Sequence, residues 1–103
     1  MQTFAILSDP VRRRILERLC ERELSSGDVV SSVGKEFGIS QSAISQHLKV
    51  LRDNRFANVR IDGTRRIYSL EAEGFKDIDE WLLPFRRFWE PKFEALAKEV
   101  EGR

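Results

Sequence analysis

Apolar residues recur along this chain with a helical period in several stretches and with a strand period in one. Ile44, Leu48 and Leu51 stand at i, i+4 and i+7 and predict an amphipathic helix over residues 40–53. Val11, Ile15, Leu16, Leu19 and Cys20 predict an earlier helix running to about residue 22. Asp9 can cap its free N–H groups, and Pro10 suits the first helical position. Between these two, Val29, Val30, Val33 and Phe37 mark the buried side of a third helix. Ser25 or Ser26 can cap it, and Asp28 falls in its first turn, where the helix dipole favours negative charge. Gly38 tolerates positive φ and ends it, and Ser40 caps the helix that follows. Helix, three-residue turn with glycine, helix is the helix-turn-helix pattern.

After Asn54 the period changes. Residues 57–61 and 65–70 read as two strands, with Asp62-Gly63 between them as a hairpin turn. If the loop is Asp62-Gly63 alone, Arg60 lies opposite Arg65. That arrangement is unfavourable by at least a few tenths of a kcal/mol. A polyanion alongside would relieve it, and so would a longer loop. From Glu73 to Val100 the helical period returns through Ile78, Leu82, Phe85, Trp89, Phe93, Leu96 and Val100, widened by Trp81 and Phe88. Pro84 and Pro91 interrupt this stripe at a cost of about 3 kcal/mol each. The expectation is one long helix bent at these points, or two helices meeting near Pro84. So aromatic a stripe exceeds what one small core needs, and its outer part is expected to pair with a second copy.

The chain has 103 residues and 41% apolar side chains, which suits one domain with a small core. Helix-turn-helix at about 26–53, hairpin at about 57–70 and a final helix at about 74–101 divide it. No apolar run is long enough to span a membrane, and the first residues lack the basic start of a signal peptide. A single cysteine excludes an intramolecular disulfide and a Cys-x-x-Cys metal site. A cytoplasmic location is expected. Net charge is only +1, but it is unevenly distributed. Residues 1–39 are neutral, residues 40–70 carry +4 and residues 71–103 carry −3. The positive charge therefore sits on the 40–53 helix and the hairpin after it, which is what phosphate binding requires.

The polar face of the 40–53 helix consists of Gln41, Ser42, Ser45, Gln46, Lys49 and Arg52, without a carboxylate. Amides and hydroxyls can read base edges in a major groove, and Lys and Arg can take guanine or phosphate. Gln41, Ser42, Ser45 and Gln46 are the candidates for base edges. Lys49, Arg52, Arg60, Arg65 and Arg66 are the candidates for phosphates, and Ser40 and Thr64 complete the set. His47 can contact DNA or lie at the edge of the core beside Leu48 and Leu51. Arg12, Arg13, Arg14 and Arg18 fall largely off the apolar stripe of their helix and read as a solvated charged face.

Three segments together resemble the ArsR/SmtB family of bacterial transcriptional regulators. They are Ser8 to Leu16, Gln41 to Leu51 and Ile61 to Tyr68, and the likeness spans roughly residues 3–71. The resemblance implies a mainly α fold with a β-hairpin wing (α+β), a winged helix-turn-helix whose long C-terminal helix makes a dimer. It implies a homodimeric repressor on double-stranded DNA with two inverted half-sites. Residues 40–53 would be the recognition helix. The first and last helices would form the dimer, through Phe4, Leu7, Trp81, Leu82, Phe85, Phe88, Trp89, Phe93 and Leu96. Residues 73–101 are similar to a subgroup without metal sites, often encoded beside small lipid- or hydrophobe-binding proteins.

The departures concern what such a protein senses. Arsenic-type members carry Cys-x-Cys where this chain has Ser25 and Gly27, neither of which is a good ligand for a soft metal. Zinc-type members use His on the last helix. This one has carboxylates such as Asp77, Asp79, Glu94 and Glu99, but the chain's one His is His47. No metal site, no cofactor and no metal response are expected, and the effector is not legible. A redox response through Cys20 is an alternative, against which stands its position on an apolar stripe, where burial keeps the thiolate scarce. A protein-interaction module without an operator is another, although it would need neither the carboxylate-free face nor the basic wing. No nucleophile–base pair, Gly-rich phosphate loop or acid pair marks an enzyme. Ser45 and His47 point in different directions from one helix.

Overall fold

The computed structural model of the protein describes residues 2–102. A short helix, α1 (Gln2–Leu7), precedes the first helix expected from the periodicity. The latter is α2 (Pro10–Glu21), where the Asp9 carboxylate accepts the Val11 and Arg12 N–H groups at 2.8 and 3.1 Å. Val11, Ile15, Leu16 and Leu19 are buried, but Cys20 is exposed. The expectation of a buried thiol fails because Cys20 lies in the last turn of α2. There it borders an apolar surface groove with Leu16, Leu70 and Phe75 instead of entering the core.

Residues 26–37 form α3. Ser25 is its cap, and the contact is reciprocal: Asp28 N–H donates to Ser25 Oγ at 3.0 Å, and Ser25 N–H donates to the Asp28 carboxylate at 3.1 Å. The middle of α3, Val30–Gly34, widens into a π-type turn. Gly34 faces Ile44 of the next helix so closely that a Cβ there would lie 3.3 Å from Cγ1. Gly38 ends α3 at φ +65. Ser40 then caps α4 (Gln41–Asp53), accepting the Ala43 N–H.

Helix α4 ends without a glycine. Arg55 takes the left-handed conformation at φ 61, which costs a non-glycine residue about 1 kcal/mol or more. Two reverse bonds hold it there: Arg55 N–H to Arg52 O at 3.1 Å, and Phe56 N–H to Leu51 O at 2.9 Å. Gly74 packs against this corner and donates its N–H to Arg55 O at 2.7 Å. A Cβ at residue 74 would come within 2.6 Å of that oxygen, so only glycine fits without moving the backbone.

Strands β2 (Ala57–Asp62) and β3 (Arg65–Leu70) make the hairpin, and a two-residue strand β1 (Leu24–Ser25) pairs with the other edge of β3. The sequence pattern did not announce β1, since two residues carry no periodicity. The hairpin register corrects the expected turn. Asp62 pairs with Arg65, so the loop is Gly63-Thr64, with Gly63 at φ +65 in the first turn position. Arg60 faces Ile67, not Arg65. Arg60 and Arg65 are therefore not opposed, and the residue across from Arg65 in the register is Asp62.

Side chains from α2, α3, α4 and the sheet share one core, in which Ile15, Val29, Val33, Ile44, Leu48, Leu51 and Phe56 are almost wholly buried. This core fixes α4 by its apolar stripe and leaves its polar face outward. After a 3-10 turn (Glu73–Phe75), α5 (Lys76–Glu101) runs as one continuous helix through both Pro84 and Pro91. Its start is anchored by Phe75 and Ile78 against the core and by Trp81 against Phe4 of α1. No residue of α5 is buried. The radius of gyration is 17.1 Å, against about 13 Å for a compact chain of this length. Among the described residues no helix is long and apolar enough to cross a membrane.

Candidate nucleic-acid interface

Gln41, Ser42, Ser45, Gln46 and Lys49 are all exposed on the outer face of α4, and Arg52 is half-buried at its end. Their common orientation follows from the burial of Ile44, Leu48 and Leu51 on the opposite side. Ser40 is exposed, but its hydroxyl is occupied by the Ala43 N–H and lies 3.3 Å from Ser42 Oγ. It therefore orders the helix entry as well as facing solvent.

His47 lies elsewhere. It is half-buried and turned toward α2, with Nδ1 3.4 Å from Arg12 Nη1. The contact sets the imidazole edge against the Arg12 guanidinium of α2. His47 thus belongs to the core edge, not to the outward face. Hydrogen bonds to backbone carbonyls correct the reading of two arginines. Arg12 donates to Ile6 O at 2.8 Å and Ala5 O at 3.3 Å, and Arg13 donates to Leu7 O at 2.7 Å and Ser8 O at 3.0 Å. They satisfy the last carbonyls of α1 and tie it to α2. Arg14 and Arg18 pair with Glu36 of α3, and Arg14 also with Glu17.

The wing residues Arg60, Thr64, Arg65 and Arg66 are exposed. Arg60 donates to Glu23 at 2.8 Å, and that hydrogen bond, followed by the charge itself, raises the guanidinium pKa. Arg65 lies 3.7 Å from Asp28. The Asp28 carboxyl is held below its usual range chiefly by the Ser25 backbone N–H, with a smaller contribution from Arg65. Both pairs are solvent-exposed and therefore weak, so a phosphate can compete for either arginine. Glu23 as a partner of the wing was not foreseen. It became visible only once β1 set that segment beside β3.

Helix α4 and the β2–β3 hairpin meet in a cleft of about 290 Å³. Ser45, Leu48, Lys49 and Arg52 contribute from α4, Arg66 and Tyr68 from β3, and Ser26 from the start of α3. No carboxylate lines it. The site is thus a polar, carboxylate-free helix face continuous with a basic cleft and a basic hairpin. That combination suits a negatively charged duplex with readable base edges.

The second expected surface is apolar. Phe4 of α1 stacks edge-on to Trp81 at 5.2 Å, and Trp81 lies 4.6 Å from Phe85. Phe4, Trp81, Phe85, Phe88, Phe93 and Leu96 remain exposed, as do Leu83 and Val100. Leu82 and Trp89 are half-buried, while Leu7 packs partly against the protomer's own core. Among the described residues no cluster of His, Cys, Asp and Glu has the arrangement to hold a metal ion.

Comparison with known proteins agrees with this architecture. The family described as "Bacterial regulatory protein, arsR family" matches residues 9–59. The HTH-type transcriptional regulator Rv2034 of Mycobacterium tuberculosis is 34% identical over 93% of this chain and 83% of its own length. The transcriptional repressor SdpR of Bacillus subtilis is 33% identical over 80% of this chain and 87% of its own. The crystal structure of M. tuberculosis Rv0081 superposes with a TM-score of 0.64 at 37% identity, covering 96% of this chain and 90% of that one. Fold, surface chemistry and relatives converge: this chain belongs to the arsR family of bacterial regulatory proteins, and is a DNA-binding transcriptional regulator of winged helix-turn-helix form, not an enzyme.

Proposed function

We propose that the protein is a homodimeric repressor that binds an operator of two inverted half-sites. The observation that carries this reading is the exposed, carboxylate-free face of α4 continuous with the basic cleft and wing. In it, Gln41, Ser42, Ser45 and Gln46 address base edges. Lys49, Arg52, Arg60, Arg65 and Arg66 address phosphates, with Ser40 and Thr64 at the rim. Repression is favoured by the 33% identity to a protein named a transcriptional repressor. Dimerisation is favoured by the exposed aromatic face of α1 and α5, which one protomer leaves uncovered.

Gln46→Ala is expected to lose about 1–3 kcal/mol on the operator and little on random DNA, because a bidentate amide–adenine contact discriminates by that amount. Fluorescence anisotropy on both duplexes checks it. Equal losses on the two would remove Gln46 from base reading.

Metals are not the signal in this proposal. The segment that carries Cys-x-Cys in arsenic-type members is here a helix cap, with Ser25 engaged by Asp28. Zn²⁺ or Co²⁺ titrated into the dimer is expected to leave DNA affinity unchanged, and a tight stoichiometric isotherm would contradict this.

A further inference from the structure

The basic residues of α4 and the wing fall into two groups. Arg60 and Arg65 are held by Glu23 and Asp28. Lys49 and Arg66 have no ion pair among the described residues, and Arg52 has only its exposed neighbour Asp53, at 3.7 Å. These three cations, two of them without an ion pair among the described residues, line the same 290 Å³ cleft, together with the hydroxyl-bearing Ser26, Ser45 and Tyr68. Three like charges around a cleft without a carboxylate repel one another, and an anion seated among them reverses the sign. The donors also suit one anion in particular. Two guanidinium forks, an ammonium and several hydroxyls together offer a tetrahedral oxyanion more hydrogen bonds than a planar carboxylate can accept. The volume equals about ten waters, so a phosphate group fits with bridging solvent to spare.

We infer that this cleft is a seat for a single phosphate group, at which a phosphate of the DNA backbone and the phosphate of a free small molecule exclude each other. The seat rests on the DNA-binding reading of the same face, but it adds a specific locus and a competitor. A phosphorylated small molecule that fills it displaces the backbone at the joint between recognition helix and wing, and so weakens operator binding without touching the base-reading residues.

The test uses the 103-residue chain and the exposed variant Arg66→Gln, with circular dichroism to verify the fold. In the first arm, an operator duplex is neutralised one linkage at a time with methylphosphonate. One linkage per half-site is expected to weaken wild type by about tenfold or more, the size of one charge-assisted contact. The same linkage is expected to have a clearly smaller effect on Arg66→Gln, in which Lys49 and Arg52 remain. In the second arm, sodium pyrophosphate at constant ionic strength is expected to release the duplex from wild type and not from the variant. A positive first arm alone leaves a seat for the DNA backbone and overturns the exclusion, and a positive second arm alone assigns the seat to a free phosphate that blocks DNA without a backbone phosphate entering it. If Arg66→Gln is as sensitive as wild type to every linkage and pyrophosphate acts no differently from chloride, the seat is overturned. If wild type binds no duplex, the DNA reading itself has failed. Calorimetry with pyrophosphate then decides the seat: Arg66-dependent binding supports it, and no binding overturns it.

Discussion

Phe88→Asp combined with Phe93→Asp is expected to yield a folded monomer whose operator affinity is lower by at least about 100-fold, the avidity of a second linked half-site. The two rings are 64% and 60% exposed in one protomer. Their intramolecular contacts are modest: Lys92 over the Phe88 ring at 4.2 Å, and Trp89 at 6.4 Å from Phe93. Removing them therefore costs the protomer little. In a dimer the same rings would be covered, and two buried carboxylates per copy would be costly to desolvate. Sedimentation equilibrium reads the assembly state, circular dichroism reads the fold and anisotropy reads the affinity. A variant that stays dimeric would move the interface away from the outer half of α5.

Phe56→Ala is expected to lower the unfolding free energy by about 3–5 kcal/mol, the usual range for truncating a buried aromatic residue. That is a large share of the roughly 5–15 kcal/mol that holds a domain together. Phe56 is 1% exposed and packs edge-on against Phe75, with ring centres 5.0 Å apart. Its N–H closes the end of α4 on Leu51 O, and its carbonyl accepts the Glu71 N–H at 3.0 Å. One residue thus joins the recognition helix, the start of the wing and the approach to α5. Urea denaturation measures the effect. A loss under about 1 kcal/mol would mean that Phe75 and Leu51 collapse into the space, since the cost of a cavity depends on how far its walls relax.

What was legible in the sequence was whatever repeats. The stripe Ile44, Leu48, Leu51 is the α4 core face, so the identity of its outward side chains followed by subtraction. Asp9-Pro10, Gly38 and Ser40 work locally, through their own backbone conformation or capping oxygen, and they stand where their chemistry requires. What was hidden depends on tertiary approach. Strand β1 exists because β3 offers it an edge. The end of α4 is a left-handed Arg55 where glycine is the usual signal. The hairpin turn lies one residue later than expected, with Gly63 at positive φ in its first position, where glycine is favoured. Arginines are the least legible of all. Arg12 and Arg13 serve carbonyls of α1, Arg60 and Arg65 meet carboxylates, and Arg52 and Arg66 converge with Lys49 on a cleft. A count of positive charge cannot separate these roles, because each is decided by which element the long side chain folds against.

The central claim is that α4 reads DNA sequence from a two-fold dimer. Selection of bound duplexes from a random pool tests it most directly. The account predicts an inverted repeat whose half-site centres lie about one helical turn apart, about 34 Å, or a multiple of that. A pool that enriches no motif, or only a lone half-site without symmetry, would contradict it.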